Sequence, residues 1–79
     1  MRTVYVMRSL SQPDKTYIGS TGNMPVRLAA HNAGNSRHTA KFVPWELVVA
    51  VQFADARKAN AFERYLKSGS GRAFATRHF

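Results

Sequence analysis

Apolar and polar positions divide the chain into short segments of different character. Thr3-Val4-Tyr5-Val6-Met7-Arg8 is rich in β-branched and aromatic residues and reads as a strand. Ser11-Gln12-Pro13-Asp14 follows with turn chemistry, and Thr16-Tyr17-Ile18-Gly19 reads as a second strand, so the two form a hairpin. Side chains alternate along a strand, so an even-sum register puts Tyr5 and Tyr17 on one face and Val4, Val6 and Ile18 on the other. Met24 to Ala33 reads as a helix, with Asn23 as N-cap, Pro25 in the first turn and Gly34 placed to end it. Asn35 to Pro44 is polar and basic and reads as a loop. Trp45 to Phe53 holds Leu47-Val48-Val49-Ala50-Val51 without strict alternation, which suggests a strand buried on both faces. Asp55 can cap a second helix running to about Lys67. Ser68-Gly69-Ser70-Gly71 reads as a break, and Arg72 to Phe79 as a short terminal helix. The order β-β-α-β-α-α gives an α+β fold: a three-stranded mixed or antiparallel sheet flanked by helices.

Length adds that residues 1–79 should form a single domain, because so short a chain cannot divide its apolar residues between two cores. The absence of cysteine removes disulfide staples, thiolate metal sites and a thiol nucleophile together. That absence, and the lack of any apolar run long enough to span a bilayer, point to a soluble, cytoplasmic protein. Charge changes the picture most. Twelve Lys and Arg oppose four Asp and Glu, a formal net charge of +8. Such an excess raises affinity for polyanions through counterion release. No segment joins dense basic charge to a strong apolar face, so nucleic acid is the expected partner rather than a membrane.

Three of the four acidic residues have local tasks: Asp14 in a turn, Asp55 at a cap and Glu46 at a strand edge. Glu63 remains. Lys67, four residues on, offers it a surface ion pair. Ala59, Phe62 and Leu66 lie close to it on the helix wheel, so it borders the apolar stripe and suits a single hard-metal ligand. Arg27 and His31 stand i and i+4 and project from one helix face. Guanidinium binds phosphate bidentately, and imidazole can hydrogen-bond or shuttle a proton. A random pair of this kind is usually ordinary surface, and an isolated strand tyrosine usually packs.

These residues fall in an order that resembles the GIY-YIG nucleases. Val4-Tyr5-Val6, ten residues, then Tyr17-Ile18-Gly19 resemble the family's two half-motifs. Arg27 and His31 match its Arg-x-x-x-His helix, and Glu63 its metal-binding glutamate. The resemblance implies a metal-dependent endonuclease acting on DNA, or on RNA. In it Tyr5 is the general base for the attacking water, and Tyr17 hydrogen-bonds water or phosphate. Arg27 holds the phosphate, and His31 orients or polarises the base. Glu63 binds one Mg²⁺ or Mn²⁺ against the leaving 3′-oxygen. Arg27 and the metal together should lower the pKa of Tyr5 toward a usable value. The tail from Tyr65 to Arg72 looks most like small stand-alone bacterial members, and the family includes the nuclease domain of the excinuclease C subunit. Ser20 stands where many members have lysine, and Ala75 where many have asparagine. Arg37 and Lys41, in the basic loop, and Arg72, after the Gly-Ser-Gly run, are the expected backbone contacts. No base-reading module is evident, so a targeting protein partner could supply the address. The rival readings are a catalytically inactive nucleic-acid-binding module and, behind it, an adaptor.

Overall fold

A computed structural model describes residues 1–79. Strand β1 (Arg2–Ser9) and strand β2 (Thr16–Thr21) form the expected hairpin. Helix α1 (Met24–Asn32) follows, then a single helical turn α2 (Arg37–Ala40), strand β3 (Trp45–Phe53), helix α3 (Ala56–Leu66) and helix α4 (Gly69–His78). The sheet is antiparallel throughout, in the order β2-β1-β3. Tyr5 pairs with Gly19 and Met7 with Tyr17, an even-sum register that puts both tyrosines on one face.

Each face carries its own core. On one, Tyr5, Met7 and Trp45 are buried, with Tyr17 and Met24 and Leu28 of α1 packed against them. On the other, Val4 and Val6 meet Ala59 and Leu66 of α3, with Phe74 of α4 and Phe53 of β3 around them. Each fully buried Val or Leu contributes about 1.5–3 kcal/mol. Helix caps fall where the residue types place them: Asn23 accepts from the N–H of Val26, and Asp55 from that of Arg57.

Three expectations need correction. Asn35–Pro44 is not wholly loop, because α2 folds within it. The β3 boundaries match, yet the strand is not buried on both faces: Glu46, Leu47, Ala50 and Gln52 are exposed, since β3 lies at an edge of the sheet. The break expected at Ser68–Gly71 is present but shorter, because α4 begins at Gly69 rather than Arg72. Ser68 is itself the N-cap of α4, accepting from the Gly71 N–H at 3.2 Å. The helix begins so close to α3 that a Cβ on Gly71 would stand 1.8 Å from the carbonyl oxygen of Tyr65. Glycine is there for close approach, and that is a packing demand invisible to a local reading.

Candidate active site

Tyr5 lies at the centre of the molecule's polar constellation. Its ring is buried in the central strand, and its Oη reaches His31 Nε2 at 2.9 Å. Arg27, one helical turn before His31 on α1, donates from Nε to the same oxygen at 3.5 Å. The Tyr17 ring lies 6.2 Å from that of Tyr5 and meets the His31 ring edge-on at 5.1 Å. The structure thus brings together Tyr5, Tyr17, Arg27 and His31, the four expected from the hairpin and the first helix. His31 is wholly buried rather than on the surface, and Arg27 is exposed.

Gly19 makes this approach feasible. It is the cross-strand partner of Tyr5, and a Cβ there would stand 2.6 Å from Tyr5 Oη and 3.0 Å from the Tyr17 ring. The phenol therefore occupies the space that any other residue at position 19 would fill.

Thr39 was not anticipated as a site residue. Its Oγ1 lies 2.8 Å from His31 Nδ1, is 1% exposed as a residue, and points its own proton toward the Ser36 carbonyl at 3.4 Å. A hydroxyl engaged that way accepts from the Nδ1–H of a neutral imidazole, which leaves Nε2 as the acceptor for the Tyr5 O–H. One chain of hydrogen bonds therefore runs Tyr5→His31→Thr39→Ser36. Trp45 Nε1 donates to the Thr39 carbonyl at 2.9 Å, and the Asn32 side chain clasps both backbone groups of Trp45, which fixes α1, α2 and β3 around the histidine. No sequence pattern marks Thr39, because a threonine eight residues after a histidine signals nothing by spacing.

Electrostatics follow the burial. Desolvation raises the Tyr5 pKa above its ordinary value of 10.0, outweighing the hydrogen bond from Arg27 that lowers it. In the free protein, burial outweighs the guanidinium. Burial, and then the charge of Arg27, push His31 below 6.5. Both groups are thus neutral near pH 7, as the hydrogen-bond polarity requires. The Arg27 pKa is raised, chiefly by its hydrogen bond to Tyr5.

Glu63 approaches from the opposite face. It sits on α3, beside Phe62 of that core. Its Oε2 accepts from Lys67 Nζ at 2.9 Å, the i,i+4 pair that the sequence also allowed, with the two side chains 22% and 53% exposed. Burial works against its charge, but Lys67, the Ser20 hydroxyl and Arg2 outweigh it and hold the carboxyl below its ordinary 4.5. Ser20 follows Gly19 on β2, an edge strand, so the constellation straddles that edge: four residues on one side and the carboxylate on the other. Its charge still reaches Tyr5, whose pKa it raises slightly.

The chain holds no cluster of three or more His, Asp or Glu. A small hard cation such as magnesium nonetheless binds through one or two carboxylates and keeps water and substrate oxygens as its other ligands. Glu63 fits that demand: it is charged and partly exposed.

Of the expected backbone contacts, Arg37 opens α2 and Lys41 follows it, both exposed, on the face of Tyr5. Arg72 is exposed in the first turn of α4, on the face of Glu63. Ala75 packs against the core cluster that contains Leu66, with Arg72 and Thr76 lining the same groove.

Phenol, imidazole and guanidinium thus lie on one side of a sheet edge, with a carboxylate on the other. The chain belongs to the GIY-YIG family, matching its catalytic domain over residues 1–76. Among curated relatives, a structure-specific endonuclease subunit SLX1 of Chaetomium globosum is 39% identical over 67 residues, covering 77% of this chain and 21% of that protein. The subunit SLX1 of Debaryomyces hansenii is 38% identical over 82 residues, covering 95% and 22%. That of Podospora anserina is 41% identical over 66 residues, covering 76% and 19%. The chain therefore spans about a fifth of the length of these relatives. No helix is long and apolar enough to cross a membrane.

Proposed function

We propose that this chain is a divalent-metal-dependent endonuclease that hydrolyses phosphodiester bonds of DNA. The observation that carries the reading is the buried Tyr5 Oη held between His31 Nε2 at 2.9 Å and Arg27 Nε at 3.5 Å. A phenol so placed can take a proton from water on one side while passing its own to the imidazole on the other. The hydrogen bond to His31 lets Tyr5 pass on its own proton as it takes that of the water.

In the reaction, a water oxygen attacks phosphorus, its proton passes to Tyr5 Oη, and the Tyr5 proton passes to His31 Nε2. The bond from phosphorus to the 3′-oxygen breaks, leaving a 5′-phosphate and a 3′-oxyanion that takes a proton from solvent, while the proton on His31 is released back through Tyr5 to solvent. Arg27 keeps its Nη groups for the phosphate, whose added negative charge it stabilises. Tyr17 hydrogen-bonds the water or a phosphate oxygen and walls the other side. Glu63 would hold the single Mg²⁺ or Mn²⁺ ion, which would supply Lewis acidity for departure of the leaving oxygen. Arg37, Lys41 and Arg72 bear on the phosphate backbone. The relatives are named as subunits of a structure-specific endonuclease, and a protein partner that directs this chain to its substrate suits a domain without base-reading parts.

The ion pair of Glu63 with Lys67 and the apolar setting of Ala75 favour a second reading, a binding module without catalysis. Labelled single-stranded, duplex and branched DNA, incubated with Mg²⁺, Mn²⁺ or chelator, decides between them, with a Glu63→Ala protein prepared in parallel. Metal-dependent cutting that vanishes in the variant supports the nuclease. Binding that persists in chelator and in the variant, with no cutting of any substrate, supports the binding module.

A further inference from the structure

On the Val6 face of the sheet, a groove of about 650 Å³, edged also by Tyr17, opens between the hairpin and the end of α3 with α4. Its volume lies within the range usual for ligand sites. The floor is apolar, formed by Ile18, Val48 and Leu66. Arg8, Lys67 and Arg72 line its sides, with the hydroxyls of Thr16 and Thr76 among them. No acidic side chain lines it. Arg8 and Arg72 make no ion pair with any carboxylate. Glu46 is the backbone partner of Arg8 across β1 and β3, yet the two do not meet as ions.

Position gives the groove its meaning. Lys67 borders both this groove and the small polar hollow that contains Glu63. Ser20, Ile18 and Thr16 alternate along β2 on this same face, so the path from Glu63 into the groove follows the strand edge. Four residues separate Ser20 from Thr16, about 13 Å at the usual strand rise. A nucleic-acid strand crossing the site at Gly19 and Ser20 would therefore pass Lys67 and arrive between Arg8 and Arg72. In a duplex the bases are stacked inside, and only phosphates and groove edges face the protein. An unpaired nucleotide presents both things this groove offers partners for: a flat base for the apolar floor and a phosphate for the cations.

We propose that the groove binds an unpaired stretch of the substrate strand next to the scissile bond, base inward and phosphate on Arg8 and Arg72. The proposal rests on the nuclease reading above and names the part of the substrate it selects. It predicts preference for a duplex with a single-stranded extension over the same duplex with blunt ends.

Fluorescence anisotropy in chelator, where nothing is cut, tests it with both DNAs across a range of salt. The wild-type protein should bind the extended duplex about tenfold more tightly, as expected when one base stacks on a protein surface. An Arg8→Gln, Arg72→Gln protein should lose most of that ratio. Its slope of log affinity against log salt on the extended DNA should shrink by about 1.4, for two lost single-strand phosphate contacts. An Arg37→Gln, Lys41→Gln protein, altered on the other face, should bind both DNAs more weakly and keep the ratio. Should the Arg8 change prevent folding, as thermal unfolding would reveal, Arg72→Gln alone serves, since Arg72 is an exposed helix residue. A ratio near one in the wild type, or a ratio unchanged in a folded groove variant, overturns the groove proposal while leaving the nuclease reading intact. A wild-type protein that binds neither DNA overturns both.

Discussion

Replacing Thr39 by valine tests whether the hydrogen-bond chain behind Tyr5 has a direction. Valine nearly matches threonine in shape and removes only the hydroxyl that His31 Nδ1 meets at 2.8 Å. Because His31 is wholly buried, its Nδ1–H would then have no partner, at a cost of about 1–3 kcal/mol. Each kcal/mol shifts the melting temperature of a domain this size by about 4–8 °C, so the variant should melt roughly 5–20 °C lower. The imidazole can escape part of that cost by moving its proton to Nε2. That tautomer offers Tyr5 a donor in place of an acceptor, and the phenol loses the group that takes its proton. A bias of 1–3 kcal/mol between tautomers corresponds to about 5- to 150-fold in the fraction poised for reaction. The assay is metal-dependent cutting at a temperature where both proteins are folded, together with ¹⁵N chemical shifts of the His31 ring. Cutting should fall within that range, the shifts should show the proton moving from Nδ1 to Nε2, and Thr39→Ser should restore both. A valine variant that cuts at the wild-type rate, or a serine variant no better than valine, refutes the argument.

Other expectations follow from the same geometry. Gly19→Ala should reduce cutting by at least about 100-fold with a smaller loss of stability, about 1–3 kcal/mol, because the new methyl displaces the Tyr5 phenol; a nearly wild-type rate would count against the placement of Tyr5. Gly71→Ala should lower the melting temperature more than Gly69→Ala, since a Cβ at 71 collides with the Tyr65 carbonyl and one at 69 meets nothing. His31 has a lowered pKa in the folded protein, so the unfolded chain binds a proton first as pH falls. Stability from this residue is thus complete above about pH 6.5 and declines below it toward the folded pKa, and the acid limb of cutting should also lie below pH 6.5. Thermal unfolding and initial rates between pH 5 and 8 check both, and an acid limb above pH 7 would remove His31 from the relay.

Local pattern carried much of this architecture, and its failures are instructive. The parity of the hairpin register could be read from alternation alone, and it placed Tyr5 beside Tyr17. Both ends of β3 matched its apolar run, whereas its exposure depends on the sheet order β2-β1-β3, which no segment encodes by itself. Gly-Ser-Gly looked like a break because glycine usually weakens helices; here Gly71 is demanded by a contact with the preceding helix. The wheel of α3 put Glu63 at the edge of the apolar stripe, and both of its readings were right about its neighbours: it borders the core and it pairs with Lys67. Thr39 was out of reach, since its partners come from α1, α2 and β3 and meet only in the folded chain.

The sheet separates two apolar clusters, and the proposed machinery takes members from each side. Tyr5, Tyr17, Arg27 and His31 depend on the packing of α1 and Trp45; Glu63 depends on Ala59 and Leu66 beneath α3. On the proposed mechanism, neither half would cut alone. On that mechanism, a nascent or partly unfolded chain with only one side assembled would be a harmless polycation, and hydrolytic power would arise only when both layers close on the same strand. Folding itself is the safety catch on a protein whose charge would otherwise hold it to nucleic acid from the moment it is made.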